Sequence, residues 1–444
     1  MVVDEKLSLR RLVLPAGDLG EPSGIARLDA DRNSSEPALM RLDDWHVFAT
    51  LVSPDGHGRT VAQFTVPGGG TASILERVDG RLEPPFDLEE AYRNYVSEAW
   101  TAQSVTRSLS TRQLSAYYRA KSLVPRRAQL WARRQLIRWQ SRPAFPQWPV
   151  DESVDRLVQL YLACLCASDG SASRQFSWFW PGTYRAALVL GHDVEGKAGA
   201  RLAIDVADLE EELGYRSAFY FGAWYPIDPG ILRDLVERGF EVGVHGIVHD
   251  HSLFSSRSEF DRQLPLLEAL AERLGAVGFR SPATHRVFDW LAELPVEYDS
   301  TIPHSDPFEP QPGGCASFWP FFIGDVVELP YTLPQDHTLL TLLQHRSPAL
   351  WLEIAKHIEE RFGLIHCVSH PDPGYLGNLE KRAIYRDFLV AMAQRERVWR
   401  VLPRDVAAWW RRRDRNPIPE TEGRAEVDGI GVRITPPVAR SDAA

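Results

Sequence analysis

From residue 183 onward the chain alternates short runs typical of buried strands with helical stripes, and this pattern admits few folds other than an α/β domain on parallel strands. RAALVLG is the first such run; Leu202, Val206, Leu209 and Leu213 then recur at helical spacing, and Gly214 stands where a C-terminal cap belongs. RSAFYFGAW opens a second unit, with Asp228 and Pro229 as N-cap and first-turn proline of a helix ended by Gly239. EVGVHG is a third strand. Phe260, Leu264, Leu267, Ala271 and Leu274 follow on one helical face closed by Gly275, and Pro265 within it predicts a kink. AVGFRSP, VEYDST, DVVELPYT and GLIHCVSHP continue as strands, and VWRVLPRDVAAWW completes the unit near residue 412.

The rest of the chain reads differently. Residues 1–40 mix charges, Pro and Gly without period and are expected to be irregular, whereas WHVFATLV, VAQFTV and ASILERV, separated by SPDGHGR and PGGG, predict a small antiparallel meander. No Lys-Ser/Thr pair follows Gly68 to Gly70, so these glycines are read as a turn rather than a phosphate loop. Residues 87–140 carry a helical pattern that RPAFPQWPV breaks. The expected organisation is an α+β region over 1–150, a connector over 151–182, the α/β domain over 183–412, and a polar tail with one short strand over 413–444.

Composition sets outer limits. With 44% hydrophobic and 25% charged residues the chain is globular, and no apolar run approaches the ~18 residues of a membrane span. MVVDEKLSLRRLVLPAGDLG lacks the apolar core of an export signal, so a cytoplasmic location and reduced Cys164, Cys166, Cys315 and Cys367 are expected. The net charge of −10 conceals an asymmetry: residues 99–150 hold ten basic side chains and no acidic one, with Arg127, Arg134 and Arg138 close together on one helical face. Two readings stay open for this segment. It contacts anionic lipid headgroups or a pyrophosphate-linked substrate, placing the protein peripherally at the inner leaflet, or it docks on an acidic flank of the same molecule. Nucleic acid is not an expected partner, because no recognised motif accompanies the charge.

Eleven of the thirteen histidines fall between His192 and His370. Position matters more than number: Asp193 and Glu195 end one predicted strand, His245 and His249 follow another, and Arg280, Asp299 and His370 end others, the place where parallel α/β folds build active sites. Asp193 and Glu195, two apart, point to one side of their strand. His245 and His249 come together if the chain turns helically between them, and two imidazoles with a carboxylate are a common catalytic zinc set, although H-x-x-x-H also arises by chance.

The ordered series GHDVE, HGIVH, FRSP, EYDS and SHP resembles the five motifs of the polysaccharide deacetylase family, the NodB-homology carbohydrate esterases, over about residues 183–412. The resemblance implies a distorted (β/α) barrel of about seven strands and one divalent metal, zinc by preference with cobalt or nickel able to replace it, on Glu195, His245 and His249. It implies Asp193 as general base, Arg280 orienting it, His370 as general acid with Asp299 in the motif that supports it, and the backbone N–H of Ala283 at the oxyanion.

Three positions depart from the family pattern. Glu195 stands where aspartate is usual, Ala283 where tyrosine is usual, and Ile302 or a neighbour where tryptophan is common. The expected activity is removal of an N-acetyl, or O-acetyl, group from a sugar in a cytoplasmic polysaccharide or glycolipid precursor. Hydrolysis of a non-sugar cyclic amide is the alternative within enzymes, and a degenerate barrel that binds glycan or a partner protein the alternative outside them.

Overall fold

The computed structural model describes residues 7–13, 32–52, 57–103, 125–139, 145–415 and 422–437. Its centre is a parallel sheet of β7 (Ala186–Val194), β8 (Ala218–Gly222), β9 (Glu241–Gly246), β10 (Gly278–Phe279), β11 (Tyr298–Asp299), β13 (Val326–Glu328) and β14 (Leu364–Ser369), in the order β13-β11-β10-β9-β8-β7-β14. The edge strand β12 (Phe321–Ile323) is antiparallel to β13, and β15 (Val398–Arg400) pairs with the first half of β7. Beyond β13 the chain reaches back to β14, where the Thr332 and Leu333 N–H groups both donate to the His366 carbonyl. The sheet therefore curls round on itself: the fold is α/β, as expected, with a distorted barrel-like sheet of eight parallel strands, the eighth being the short β15, where about seven were expected.

Helices alternate with these strands and their ends follow local sequence rules. Asp228 caps Pro229–Glu237 by accepting from Gly230 N–H at 2.8 Å, and Gly275, at φ +62°, ends Arg257–Leu274. That helix runs through Pro265 as one element. Two tyrosines fill the barrel: the Tyr220 and Tyr298 hydroxyls lie 3.0 Å apart, and Tyr298 donates to Glu241 at 2.7 Å. Gly278 makes room for the second ring, since a Cβ there would fall 2.0 Å from it.

Outside the barrel the sequence was less explicit. The N-terminal sheet comprises β1 (Arg32–Leu42), β2 (Trp45–Val52), β3 (Arg59–Thr65), β4 (Thr71–Glu76) and β5 (Leu82–Glu83), in the order β2-β1-β3-β4-β5. The expected meander is thus interrupted by β1, a strand within the segment expected to be irregular. Residues Leu9–Val13 of that segment form a short helix with Leu9, Leu12 and Val13 buried. Gly68 and Gly69, both at positive φ, make the β3–β4 turn as predicted.

The expected connector is a core element. Helix Ser153–Ser168 buries Val154, Leu157, Val158, Leu160 to Leu162 and Leu165 between the N-terminal sheet and a second, three-stranded one. The polar tail supplies two strands of this second sheet, β16 (Glu422–Asp428) and β17 (Gly431–Thr435), on β6 (Ser173–Ser177). Among the described residues no helix is long and apolar enough to cross a membrane. The four cysteines are buried and free.

Candidate active site

The carboxyl ends of β7, β9, β10 and β14 bring most of the expected residues to one place. At the end of β7, Asp193 receives Arg280 from β10, with Nε 2.8 Å from Oδ2 and both side chains buried. Burial alone would raise the Asp193 pKa, but Arg280, aided by His245 and His370, outweighs it and holds the carboxyl below its usual range. Its second oxygen, Oδ1, is buried without a hydrogen-bond partner among the described residues and lies 3.8 Å from His245 Nδ1. His192, the intervening neighbour on β7, points the other way, to Ser369 Oγ at 2.9 Å and Glu210 at 2.8 Å, bracing β7 and β14 from behind.

Glu195 and His249 face each other. His249 Nε2 is 3.0 Å from Glu195 Oε1, yet it is a buried nitrogen without the alignment of a hydrogen bond. The His245 and His249 rings are 5.7 Å apart, brought together by bends after β9 rather than by a helical turn. His245 Nδ1 meets the Arg280 carbonyl at 2.8 Å, so its N–H fits there and Nε2 is left as the lone-pair nitrogen, the arrangement usual for a metal-bound imidazole. Burial draws the His245 pKa down to about 4, favouring that neutral form. Among the described residues no three His, Cys, Asp or Glu are gathered tightly enough to hold an ion as they stand. The donor types nevertheless suit a divalent metal: two imidazoles and a carboxylate, one ring nitrogen presented bare and another buried beside the carboxylate.

His370 leaves β14 and lies over this group, with Nε2 3.8 Å from Asp193 and 3.9 Å from Glu195. Its Nδ1 is 2.7 Å from Asp336 Oδ1, and its backbone N–H donates to the other oxygen of the same carboxylate at 3.1 Å. Burial would lower the pKa of His370, but Asp336, with Glu195 and Asp193, carries it up to about 10. The acid that supports His370 is therefore Asp336, and the assignment of that part to Asp299 is corrected. Asp299 sits deeper, at the end of β11, accepting from Thr301 and facing Glu328 in a fully buried pair. Burial lifts both carboxyls, Asp299 to about 6 and Glu328 further, so the pair retains a proton near neutrality.

Several residues at the site escaped the motif reading. Asp336 lies in LPQDHTLL, where one Asp before an apolar run looks like an ordinary helix start. Asp372, in HPDPG, accepts the Glu195 N–H at 3.0 Å, and a Cβ at Gly199 would fall 2.3 Å from that carboxylate. Trp224 donates to the Glu195 carbonyl at 3.0 Å and sets its ring 5.1 Å from that of His249. The Glu195 backbone is thus pinned on both sides of its α-carbon. Tyr375 stacks on His370 with ring centres 4.6 Å apart.

Ala283 lies in the turn Pro282–Thr284 beside these residues, and both Ala283 (φ +49°) and Thr284 (φ +55°) adopt the left-handed conformation that side-chain-bearing residues rarely enter. Ile302 is buried, its N–H bound to Glu328.

Of the basic segment's two readings, Arg134 fits docking on the same molecule. Arg134 donates through Nε and Nη2 to the Thr341 carbonyl at 3.0 and 2.8 Å, and Arg133 bonds the Phe308 carbonyl. Arg134 is thus directed into the barrel domain rather than toward an external anion, because main-chain oxygens of the barrel lie within its reach. The side chains of Arg127 and Arg138 lie outside the described residues.

No family model and no curated protein matches the chain. Among solved structures it is similar to a protein named as a polysaccharide deacetylase from Mycobacterium smegmatis, at 20% identity and a TM-score of 0.43 over 54% of this chain and 94% of that one. It is also similar to the PuuE allantoinase, at 15% identity and a TM-score of 0.41 over 54% and 94%. A third is a family 4 carbohydrate esterase from Streptomyces lividans, at 12% identity and a TM-score of 0.32 over 49% and 91%.

Proposed function

We propose that this chain is a hydrolase of the polysaccharide deacetylase kind, removing an acetyl group from an N-acetylated or O-acetylated sugar. One observation carries the reading: a buried carboxylate held by an arginine and an imidazolium held by a second carboxylate meet, 3.8 Å apart, over a Glu–His–His group at one end of the barrel. Together they supply the base and the acid that hydrolysis of an acyl group needs.

Glu195, His245 and His249 are the residues that would hold a divalent metal, most simply zinc; when bound, such a metal polarises an acyl carbonyl and acidifies water. Asp193, kept ionised by Arg280, takes the proton from the attacking water through one carboxylate oxygen while the other stays on the guanidinium. The Ala283 N–H hydrogen-bonds the oxygen that becomes negative as the carbonyl turns tetrahedral. His370 then gives its Nε2 proton to the departing nitrogen, and Asp336 keeps the ring oriented and charged for that step. Amide nitrogen leaves poorly unless protonated, which is why the acid must be charged at working pH.

The test measures acetate released from a panel of N-acetylated sugars, glycolipids and nucleotide sugars with added zinc, alongside ring opening of a cyclic ureide. Acetate release from a sugar, abolished in Asp193→Asn, is expected. Ring opening alone would transfer the site to the cyclic-amide alternative, and no turnover of either class would reject both.

A further inference from the structure

The N-terminal part of the molecule touches the barrel at one fully enclosed ion pair. Glu98, just after helix Leu88–Val96 and itself at φ +58°, sets its carboxylate against Arg286 of the barrel, Oε2 to Nε at 2.5 Å and Oε1 to Nη2 at 2.6 Å. Neither residue is exposed by as much as a tenth. The Gly314 N–H also donates to Oε1, at 2.6 Å, and there is no room for a side chain at Gly313, where a Cβ would fall 2.3 Å from Oε1. Burial works against the guanidinium charge, and Glu98 more than offsets it.

The other end of Arg286 reaches the turn that carries Ala283. Its Nη1 donates to the Thr284 carbonyl at 2.8 Å, while Gln311 takes both main-chain groups of Arg286, each at 3.0 Å. Two consecutive left-handed residues with side chains do not hold that conformation unaided, so their surroundings must impose it. The atom grasped here is the carbonyl of the second of them, one peptide away from Ala283.

We infer that Glu98, acting through Arg286, is a positioning residue that fixes the Ala283–Thr284 turn in the conformation required of an oxyanion donor, so that the N-terminal segment takes part in turnover from outside the barrel. This rests on the deacetylase reading of the same site. A purely adhesive ion pair would satisfy its arginine anywhere along the contact; in this one the Nη1 group makes its short bond, 2.8 Å, to the strained turn, with the Gln311 carbonyl farther off at 3.5 Å.

The experiment compares the full-length wild type with Glu98→Gln, and with Glu98→Asp, which keeps the charge on a shorter arm. Two readouts are taken, steady-state kinetics on the best acetylated sugar and amide hydrogen exchange of the peptide covering 279–288. For Glu98→Gln, kcat is expected to fall about 10- to 100-fold, less than the 10²–10³ of deleting an oxyanion donor outright, with KM within about twofold. Exchange in 279–288 is expected to rise at least about tenfold while β7 and β14 keep their protection. Glu98→Asp should recover part of both, and it carries the test if Glu98→Gln does not fold. A loosened turn with unchanged kcat, or a turn whose exchange does not change, overturns the inference and leaves the deacetylase reading standing. Wild type that releases no acetate from any sugar overturns that reading, and the catalytic part of the inference with it.

Discussion

His370 carries a charge that its own burial opposes, and Asp336 is the residue that makes the difference. The folded-state pKa, about 10, lies above the ordinary histidine value, so the stabilising contribution of this pair is fully present below pH 6.5 and is lost as pH rises through 10. Asp336→Asn is expected to move the alkaline limb of kcat/KM down by more than one pH unit, measured as a rate profile between pH 6 and 11. His370→Ala should cost on the order of 10²–10⁴ in kcat on an acetamide but far less on an activated ester, whose leaving group needs no proton; kinetics on the paired substrates checks it. At this scale the motif series placed Asp193, Glu195, His245, His249, Arg280 and His370 together, because each ends a strand and strand ends converge. Asp336, Asp372 and Trp224 stayed hidden, since they come from loops whose course only the closed barrel fixes. Asp299 was misread for a different reason: the last residue of a strand can point into the barrel floor as readily as into the cleft.

Among the elements, β9 opens with a liability. Glu241 is buried between the Tyr298 hydroxyl and the Arg404 N–H, and burial, only partly countered by those bonds, carries its pKa up to about 7. A raised carboxyl pKa means the folded protein binds the proton more tightly than the unfolded chain. Its contribution is therefore complete below about pH 4.5 and disappears as pH rises through 7, on the order of 3 kcal/mol. Glu241→Gln should flatten the decline in stability between pH 5 and 8, read from urea midpoints across that range. The strands that gave strong signals were the long, uninterrupted apolar ones, β7, β9 and β14. β1 was missed because RNSSEPALMRL is polar over its first half and apolar at consecutive positions after Pro37, so its residue types do not reveal the alternation by which Met40 is buried and Leu39 exposed. Helix Ser153–Ser168 was taken for a connector because its length, not its burial, is what a scan for domain boundaries registers.

The molecule as a whole is sewn together at its ends. Arg413, buried in the last helix, donates to the Leu12 carbonyl at 2.6 Å and the Ser177 carbonyl at 2.7 Å, while Glu89 caps the first helix through the Leu9 and Arg10 N–H groups at 2.8 and 2.9 Å. Deleting residues 1–13 removes the Leu9 and Arg10 N–H donors of the half-buried Glu89 and leaves Arg413 only the Ser177 and Trp178 carbonyls, so a loss of roughly 1–3 kcal/mol beyond that of the helix's apolar side chains is expected by denaturant unfolding. The second sheet has a further consequence, one of timing. β6 precedes its partner β16 by roughly 250 residues. At about 5–20 residues per second the ribosome needs on the order of 12–50 s to cover that interval, and throughout it β6 lacks the strand that covers its edge. A nascent chain halted before residue 422 would keep that edge indefinitely, so the pairing of β6 reports whether synthesis has passed that point.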